Sequence, residues 1–179
     1  MLEVLRNIVL EVNAAASLDE VLRIIVSRVR MAMGTEVCSV YIRDKVAERY
    51  VFRATEGLNP EQLGTASLAL GEGLVGLVAE REEPVNLDSA ALHPAFQPLP
   101  GIGEEPFHSF LGVPIIHQRE VLGVLVIQQS EGRRFDESEE AFLVTMSAQL
   151  AGVIAHAEAI AGLAVALTDV QLGDAGTLD

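Results

Sequence analysis

The stretch from Ser109 to Gln129 limits the fold more than any other part of the chain. Ser109 to His117 and Val121 to Gln129 are two strand-like runs that flank Gln118-Arg119-Glu120, the pattern of a β-hairpin. The second run opens Val121-Leu122-Gly123-Val124-Leu125-Val126-Ile127 and has no polar side. A strand in an antiparallel hairpin ordinarily leaves one face to water. Here both faces must be covered, so helices are expected on one and a pocket with its lid on the other. Pro114 removes a ladder donor, so a bulge or an unpaired edge is expected there.

A second stretch, Leu70-Gly71-Glu72-Gly73-Leu74-Val75-Gly76-Leu77-Val78, supports two readings. Gly71, Gly73 and Gly76 spell G-x-G-x-x-G, with Asp88 downstream after Val85-Asn86-Leu87. That is the outline of a dinucleotide fingerprint, in which glycines let the backbone approach a pyrophosphate. The other reading is a short strand, a glycine turn and one short helix that floors a small-molecule pocket. Arg81-Glu82-Glu83-Pro84 stops the helix near Glu80. A dinucleotide fold needs a longer crossover helix and parallel strands, whereas the flanking segments read as antiparallel. The pocket-floor reading is preferred.

The remaining elements follow from periodicity. Leu2, Leu5, Val9 and Val12 form a narrow helical seam. Ser17-Leu18-Asp19-Glu20 is a capping box, and Val21, Ile24, Ile25, Val29 and Ala32 stripe the helix after it up to Gly34. Val37 to Arg43 alternates as a strand, with Cys38, Val40 and Ile42 apolar on one side and hydroxyl-bearing Ser39 and Tyr41 on the other. Arg49 to Thr55 returns. Ser67 to Leu70 is a short strand before the glycine stretch. Asp88 to His108 is rich in proline and glycine with little periodicity, and a loop of that length in a compact domain is ordinarily a lid or binding loop. Asp136-Glu137-Ser138-Glu139 is a second capping-box start. The helix it opens carries Leu143, Met146, Leu150, Val153, Ala157 and Ile160 as a heptad seam. With the seam of the first helix, this predicts a homodimer. After Leu167 the chain reads as a polar, glycine-bearing tail.

Composition excludes several functions. A net charge of −14 argues against nucleic acid and anionic membrane as partners. No stretch reads cleanly as membrane-spanning, since the most apolar one, Leu150 to Leu167, carries His156 and Glu158. A single cysteine, Cys38, rules out a CxxC metal or redox motif. No basic-then-apolar leader follows Met1, so the expected location is cytoplasmic.

The order of elements, and the strings Cys38-Ser39-Val40-Tyr41 with Asp44, Ala54-Thr55-Glu56-Gly57, Gly71 through Gly76, His93-Pro94, Leu111-Gly112-Val113-Pro114-Ile115 and Val121 through Leu125, resemble a GAF domain. The resemblance implies an α+β fold. It has a central antiparallel sheet, N- and C-terminal helices on one face, and a ligand pocket under a long loop on the other. It spans about Met1 to Ile160, giving a sensor domain over 1–163 and a linker or tail over 164–179. Gly112-Val113-Pro114-Ile115-Ile116-His117 and Phe142 through Glu158 are more narrowly similar to the N-terminal domain of nitrogen-branch enzyme I, a phosphoenolpyruvate-dependent phosphotransferase family. That similarity implies a regulatory domain sensing glutamine or 2-oxoglutarate, with the catalytic modules on the same natural chain. Alternatives are a cyclic-nucleotide-binding GAF domain and a ligand-free dimerisation module.

This chain itself is expected to catalyse nothing. None of His93, His108, His117 and His156 sits in the Gly-rich Thr-Ser-His setting of the family's phosphohistidine. Cys38 has no second thiol for the relay that methionine sulfoxide reduction needs. His93 and His108 have no third ligand for a metal, and no cofactor is implied. The candidate binding residues are Ser39 and Tyr41 on the hydroxyl-bearing face, Thr55 and Glu56 at the end of the second strand, and Leu74 and Val75, whose helix start offers free N–H groups to a carboxylate. Val126 and Gln128 share a face on the last strand; His93, His108 and Ser109 bracket the lid. For each, an ordinary structural hydrogen bond or packing role is the competing assignment.

Overall fold

In the computed structural model, which describes residues 2–175, the hairpin from Ser109 to Gln129 lies within a six-stranded sheet. The strands are β1 (Val37–Asp44), β2 (Arg49–Glu56), β3 (Ser67–Ala69), β4 (Val85–Leu87), β5 (Ser109–His117) and β6 (Glu120–Gln129), in the spatial order β3-β2-β1-β6-β5-β4. Every neighbouring pair is antiparallel. Helices α1 (Leu2–Asn13), α2 (Leu18–Met33) and α4 (Glu137–Ala175) cover one face, and α3 (Gly73–Arg81) with the 88–108 segment covers the other.

The apolar run of β6 explains this double cover. Leu122, Leu125 and Ile127 enter the core under the helices, while Val121, Val124 and Val126 enter the core under α3 and the lid. All but the first residue of the strand are buried. The two cores meet across the sheet, as the absence of a polar side requires.

Both capping boxes form. Ser17 Oγ accepts from the Glu20 N–H at 3.2 Å, and the Glu20 carboxylate reaches back to the Ala16 N–H, one residue before the cap. At α4, Asp136 Oδ1 accepts from the Glu139 N–H at 2.8 Å and Glu139 Oε1 accepts from the Asp136 N–H at 3.0 Å. Pro114 lies on β5 beyond the reach of β4, which pairs only with Phe110 to Gly112, so its missing donor falls beside an unpaired edge. The bulge is one residue further on, between Ile115 and Ile116, and the Pro114 carbonyl accepts from Ser147 Oγ of α4 at 2.8 Å.

Three helical stripes differ from their sequence pattern. In α1 the buried residues are Ile8 and Val12, with Leu5 and Val9 only partly covered and Leu2 at 82% exposure. The stripe is centred on Ile8, which faces α2. In α2, Leu22 and Val26 are buried and Ala32 is exposed, because the helix packs against α1, α4 and the sheet together and needs a broader apolar face. In α4 the seam divides: Leu143, Met146 and Leu150 are buried on the sheet, Val153 and Ala157 lie at its margin, and Ile160 is 54% exposed.

The tail expected after Leu167 is helical as far as Ala175, and its last four residues lie outside the described ones. By length and apolar composition the part of α4 from Glu137 to Val170 could cross a membrane, at a mean hydropathy of 1.9. Its first turns are occupied by the sheet.

Candidate functional site

The glycine stretch builds a turn. Gly71 and Gly73 take φ of 79° and 65°, open to glycine at little cost. The Gly71 N–H donates to the Gly76 carbonyl at 2.9 Å, folding the end of β3 back over the first turn of α3. A Cβ on Gly76 would lie 2.4 Å from the Ala69 carbonyl oxygen. These glycines serve helix-against-strand packing, and the antiparallel sheet and nine-residue helix exclude the dinucleotide arrangement.

The segment from 88 to 108 closes over α3 and the sheet. It contains one 3-10 turn, Ala90–Leu92. Asn59 moors it from the β2–β3 connection: its side chain donates to the Gly101 carbonyl at 2.8 Å and its N–H donates to the Ile102 carbonyl at 2.9 Å. At the other side Gln97 Nε2 donates to Glu72 at 3.2 Å, and the Ala90 N–H donates to the His108 carbonyl at 2.8 Å. Ile102 is wholly buried, and Phe96, Leu99 and Phe107 pack beside it on the second core.

The space left beneath is a cavity of about 20 Å³, walled by Leu74, Val75, Phe107, Phe110, Glu104 and Gln128 among others. That is room for about one water molecule. The lid's own apolar side chains therefore fill the pocket in this conformation. A larger cleft, about 490 Å³, lies elsewhere, between the α1–α2 connection and α4, and is lined by Leu18, Val21, Val153, His156 and Ile160.

Of the sequence-predicted residues, Leu74, Val75 and Gln128 line the lidded space. Ser39 and Thr55 lie on the same face but are spent on each other, with hydroxyl oxygens 2.9 Å apart. Tyr41 is buried with its ring 5.3 Å from that of Phe52, and Val126 is buried in the same core. Glu56 pairs with Cys38, so it shares the helix side of the sheet with that residue and is not brought to the cavity. Adjacent strand residues point to opposite faces, so Thr55 and Glu56 cannot both line one pocket.

Ser109 is committed elsewhere. Its hydroxyl bonds the carbonyls of Glu131 and Arg133 and accepts from the Arg133 N–H at 2.9 Å, tying the β6–α4 connection to β5. His93 Nδ1 accepts from the Ala95 N–H at 3.0 Å and shapes the lid, and the His108 ring is exposed. Cys38 is buried and its thiol is pushed up by burial, leaving it protonated. Among the described residues no group of three His, Cys, Asp or Glu side chains is placed to hold a metal.

Glu104 is the residue that pattern reasoning missed. Its half-buried carboxyl lines the cavity beside Gln128. Burial pushes it up to about 7, against the pull of the Leu99 N–H and the Gln128 side chain, and neighbouring Glu105 adds to the rise. A signal was present in Gly101-Ile102-Gly103: an apolar residue between two glycines, both at positive φ, dips inward and carries the next residue with it.

The GAF-domain family model matches residues 17–154. The chain belongs to the GAF domain family. It is 52% identical to the GAF domain of a phosphoenolpyruvate–protein phosphotransferase from Coxiella burnetii, with a TM-score of 0.83 over 90% of this chain and 96% of that one. The corresponding domain from Acinetobacter gives 48% identity and a TM-score of 0.79 over the same shares. Among curated proteins, the phosphoenolpyruvate-dependent phosphotransferase system protein of Salmonella typhimurium is 48% identical over 161 residues, which is 90% of this chain and 22% of that protein. The chain thus spans about a fifth of the length of such relatives. Free methionine-R-sulfoxide reductase from Neisseria meningitidis aligns at 19% identity and a TM-score of 0.74, a likeness of fold alone.

Proposed function

We propose that this GAF domain is a non-catalytic, cytoplasmic sensor. It binds a small polar metabolite, glutamine or 2-oxoglutarate, and biases a phosphoenolpyruvate-dependent phosphotransferase carried on the same natural chain in a nitrogen-regulatory phosphorelay. Residues 1–163 form the sensor, and 164–179 form the linker toward the catalytic modules. The similarity to GAF domains of phosphoenolpyruvate–protein phosphotransferases supports the context.

The observation that carries the reading is the lidded space itself: three polar residues, Gln97, Glu104 and Gln128, in an otherwise apolar wall under a loop moored at few points. Such convergent polar groups in an apolar recess are the usual make-up of a small-molecule site. The first turn of α3, with Leu74 and Val75 in the wall, offers N–H groups to a ligand carboxylate. Room for one water means that a metabolite enters only as the lid lifts, so binding selects between two lid arrangements. A ligand shifts such an equilibrium only by its differential affinity, and ~1–3 kcal/mol suffices to change flux several-fold.

Titration calorimetry of this chain with glutamine, 2-oxoglutarate and cyclic nucleotides tests the reading, followed by phosphoenolpyruvate-dependent autophosphorylation of the full-length protein with and without the ligand that binds. Saturable binding of glutamine or 2-oxoglutarate with a matching change in autophosphorylation is expected. The filled cavity favours a second reading, a ligand-free interaction module, and heat from none of these compounds selects it. Deletion of residues 1–163 that left both rate and metabolite response unchanged would overturn the regulatory role.

A further inference from the structure

We infer that Glu104 sets the charge selectivity of the lidded pocket, so that the site takes a ligand bearing an ammonium or other strong donor and discriminates against dianionic oxo acids. The inference rests on the metabolite-sensing reading above and names the ligand class for that same site.

Among the described residues lining the space, Glu104 is the one charged side chain. No lysine or arginine joins it. Arg49, whose partner Glu72 also accepts from Gln97 of the wall, is engaged otherwise: it lies 3.6 Å from Glu72 and donates to Ser67 at 2.7 Å. The polar neighbours of the Glu104 carboxyl leave it acceptor capacity. Leu99 N–H donates to Oε2 at 3.4 Å, a long bond, and the Gln128 side chain supplies a second donor. A carboxylate has about four lone-pair positions, so a donor-bearing ligand finds unfilled acceptors there.

A zwitterionic amino acid fits this arrangement end to end. Its carboxylate would meet the N–H groups at the start of α3 and its ammonium would meet Glu104 of the lid, both of which border the space. A dicarboxylate such as 2-oxoglutarate brings two negative charges to a recess that already holds one. Like charges in a partly desolvated site oppose binding. The oxo acid is accepted only when Glu104 is neutral or has swung out with the lid. The titratable groups that bear on Glu104 are Glu105 from the lid and Tyr41 from β1, and neither offers a positive charge at neutral pH. Because burial places the carboxyl close to neutrality, the preference itself depends on pH: the ionised form above about pH 7 holds an ammonium, and the protonated form below it donates to a carboxylate.

The test compares glutamine with N-acetylglutamine, which lacks the ammonium, and glutamate with 2-oxoglutarate, by calorimetry near pH 8 and near pH 6. For the wild-type chain near pH 8 the ammonium-bearing member of each pair should bind roughly ten- to a hundredfold tighter, the range of a charge-assisted bond. In Glu104→Gln that ratio should fall to within a few-fold of unity and lose its pH dependence. The wild-type ratio should fall on acidification without any substitution, so the inference stays testable if the variant fails to fold. Wild-type binding whose ratio is the same in Glu104→Gln, or constant between the two pH values, overturns the role of Glu104 while leaving the sensor reading standing. Absence of binding by any of the four compounds to the wild-type chain overturns both.

Discussion

Asn86 and Phe135 hold each other by two hydrogen bonds. Asn86 Nδ2 donates to the Phe135 carbonyl at 2.8 Å, and the Phe135 N–H donates to Asn86 Oδ1 at 3.1 Å. Asn86 is the middle residue of β4, the edge strand from which the lid departs, and Phe135 immediately precedes the N-cap of α4. This clasp joins the root of the lid to the helix that leaves the domain. Asn86 lies between the two apolar residues of Val85-Asn86-Leu87, and its amide does for α4 what a backbone neighbour would do in a wider sheet.

Replacing Asn86 with alanine should therefore act on coupling as well as on stability. Loss of the two bonds to Phe135, and of a longer one from Asn86 Nδ2 to Glu140 at 3.4 Å, costs about 1–3 kcal/mol, read by urea denaturation. In the full-length protein the metabolite effect on autophosphorylation should shrink, while affinity of the isolated domain changes by less than about threefold, since Asn86 does not line the cavity. An unchanged metabolite effect together with the loss of stability would leave the clasp a purely structural device.

Gly76 makes a sharper case. Alanine there places its Cβ 2.4 Å from the Ala69 carbonyl oxygen, a backbone atom that cannot yield without moving β3. We expect Gly76→Ala to destabilise the domain by about 2–4 kcal/mol. Gly162→Ala, on the exposed part of α4 with nothing near its Cβ, should instead be neutral or stabilising by up to about 1 kcal/mol. Thermal melts of the two variants check the contrast.

The pairing of β1 with β2 and of β5 with β6, and the double burial of β6, were legible because periodicity and antiparallel chemistry leave little choice there. The same reasoning resolved Gly71 to Gly76 as a turn, since a helix stopped by Arg81-Glu82-Glu83-Pro84 is too short for a dinucleotide crossover. Ile8 escaped notice because four neighbouring apolar residues offered a competing stripe. Glu56 was misplaced because consecutive strand residues were given one face. The cavity was the least legible part. Its size is set by how deeply Ile102 and Phe107 dip from an aperiodic loop, and that depends on long-range mooring by Asn59 and Gln97. Glu104 follows Ile102 inward, and the one local sign of it is the string Gly101-Ile102-Gly103.

Lid closure should weaken as pH rises. In the closed form burial raises the Glu104 carboxyl from the ordinary carboxylate value to about 7. A group raised on closure binds a proton more tightly in the closed form, so its stabilising contribution is whole below the ordinary carboxylate range. The contribution is lost as pH climbs through the closed-form value. Between about pH 5 and pH 8 the closed lid should lose on the order of 2 kcal/mol, discounted because the carboxyl keeps some contact with water. Hydrogen exchange corrected for its intrinsic pH dependence should show faster opening of residues 95–107 at the upper end. Glu104→Gln should remove that trend.

The last prediction concerns assembly. Beyond the sheet, α4 presents Ile160, Leu163, Leu167 and Val170 at 54%, 62%, 57% and 64% exposure, spaced three, four and three residues apart. That is the spacing of a coiled-coil seam, and a stripe of this kind left in water is a solubility liability. The first half of α4 is already spent on the sheet through Leu143, Met146, Leu150 and Ile154, so a second copy can use only the later turns and the margin at Val153 and Ala157. The large cleft lined by Val153, His156 and Ile160 continues that margin toward α1 and α2. We therefore expect a homodimer formed through the C-terminal half of α4, largely indifferent to salt because the contact is apolar. Light scattering over a wide concentration range should give the dimer mass. Leu163→Glu with Leu167→Glu should shift it to monomer without loss of the melting transition, because neither side chain belongs to the buried cores. By contrast, a matched Leu150→Glu change should unfold the domain, since Leu150 is buried beneath the sheet-side face of the same helix. A wild-type chain that remains monomeric at high concentration excludes this dimer and leaves the exposed stripe to some other cover.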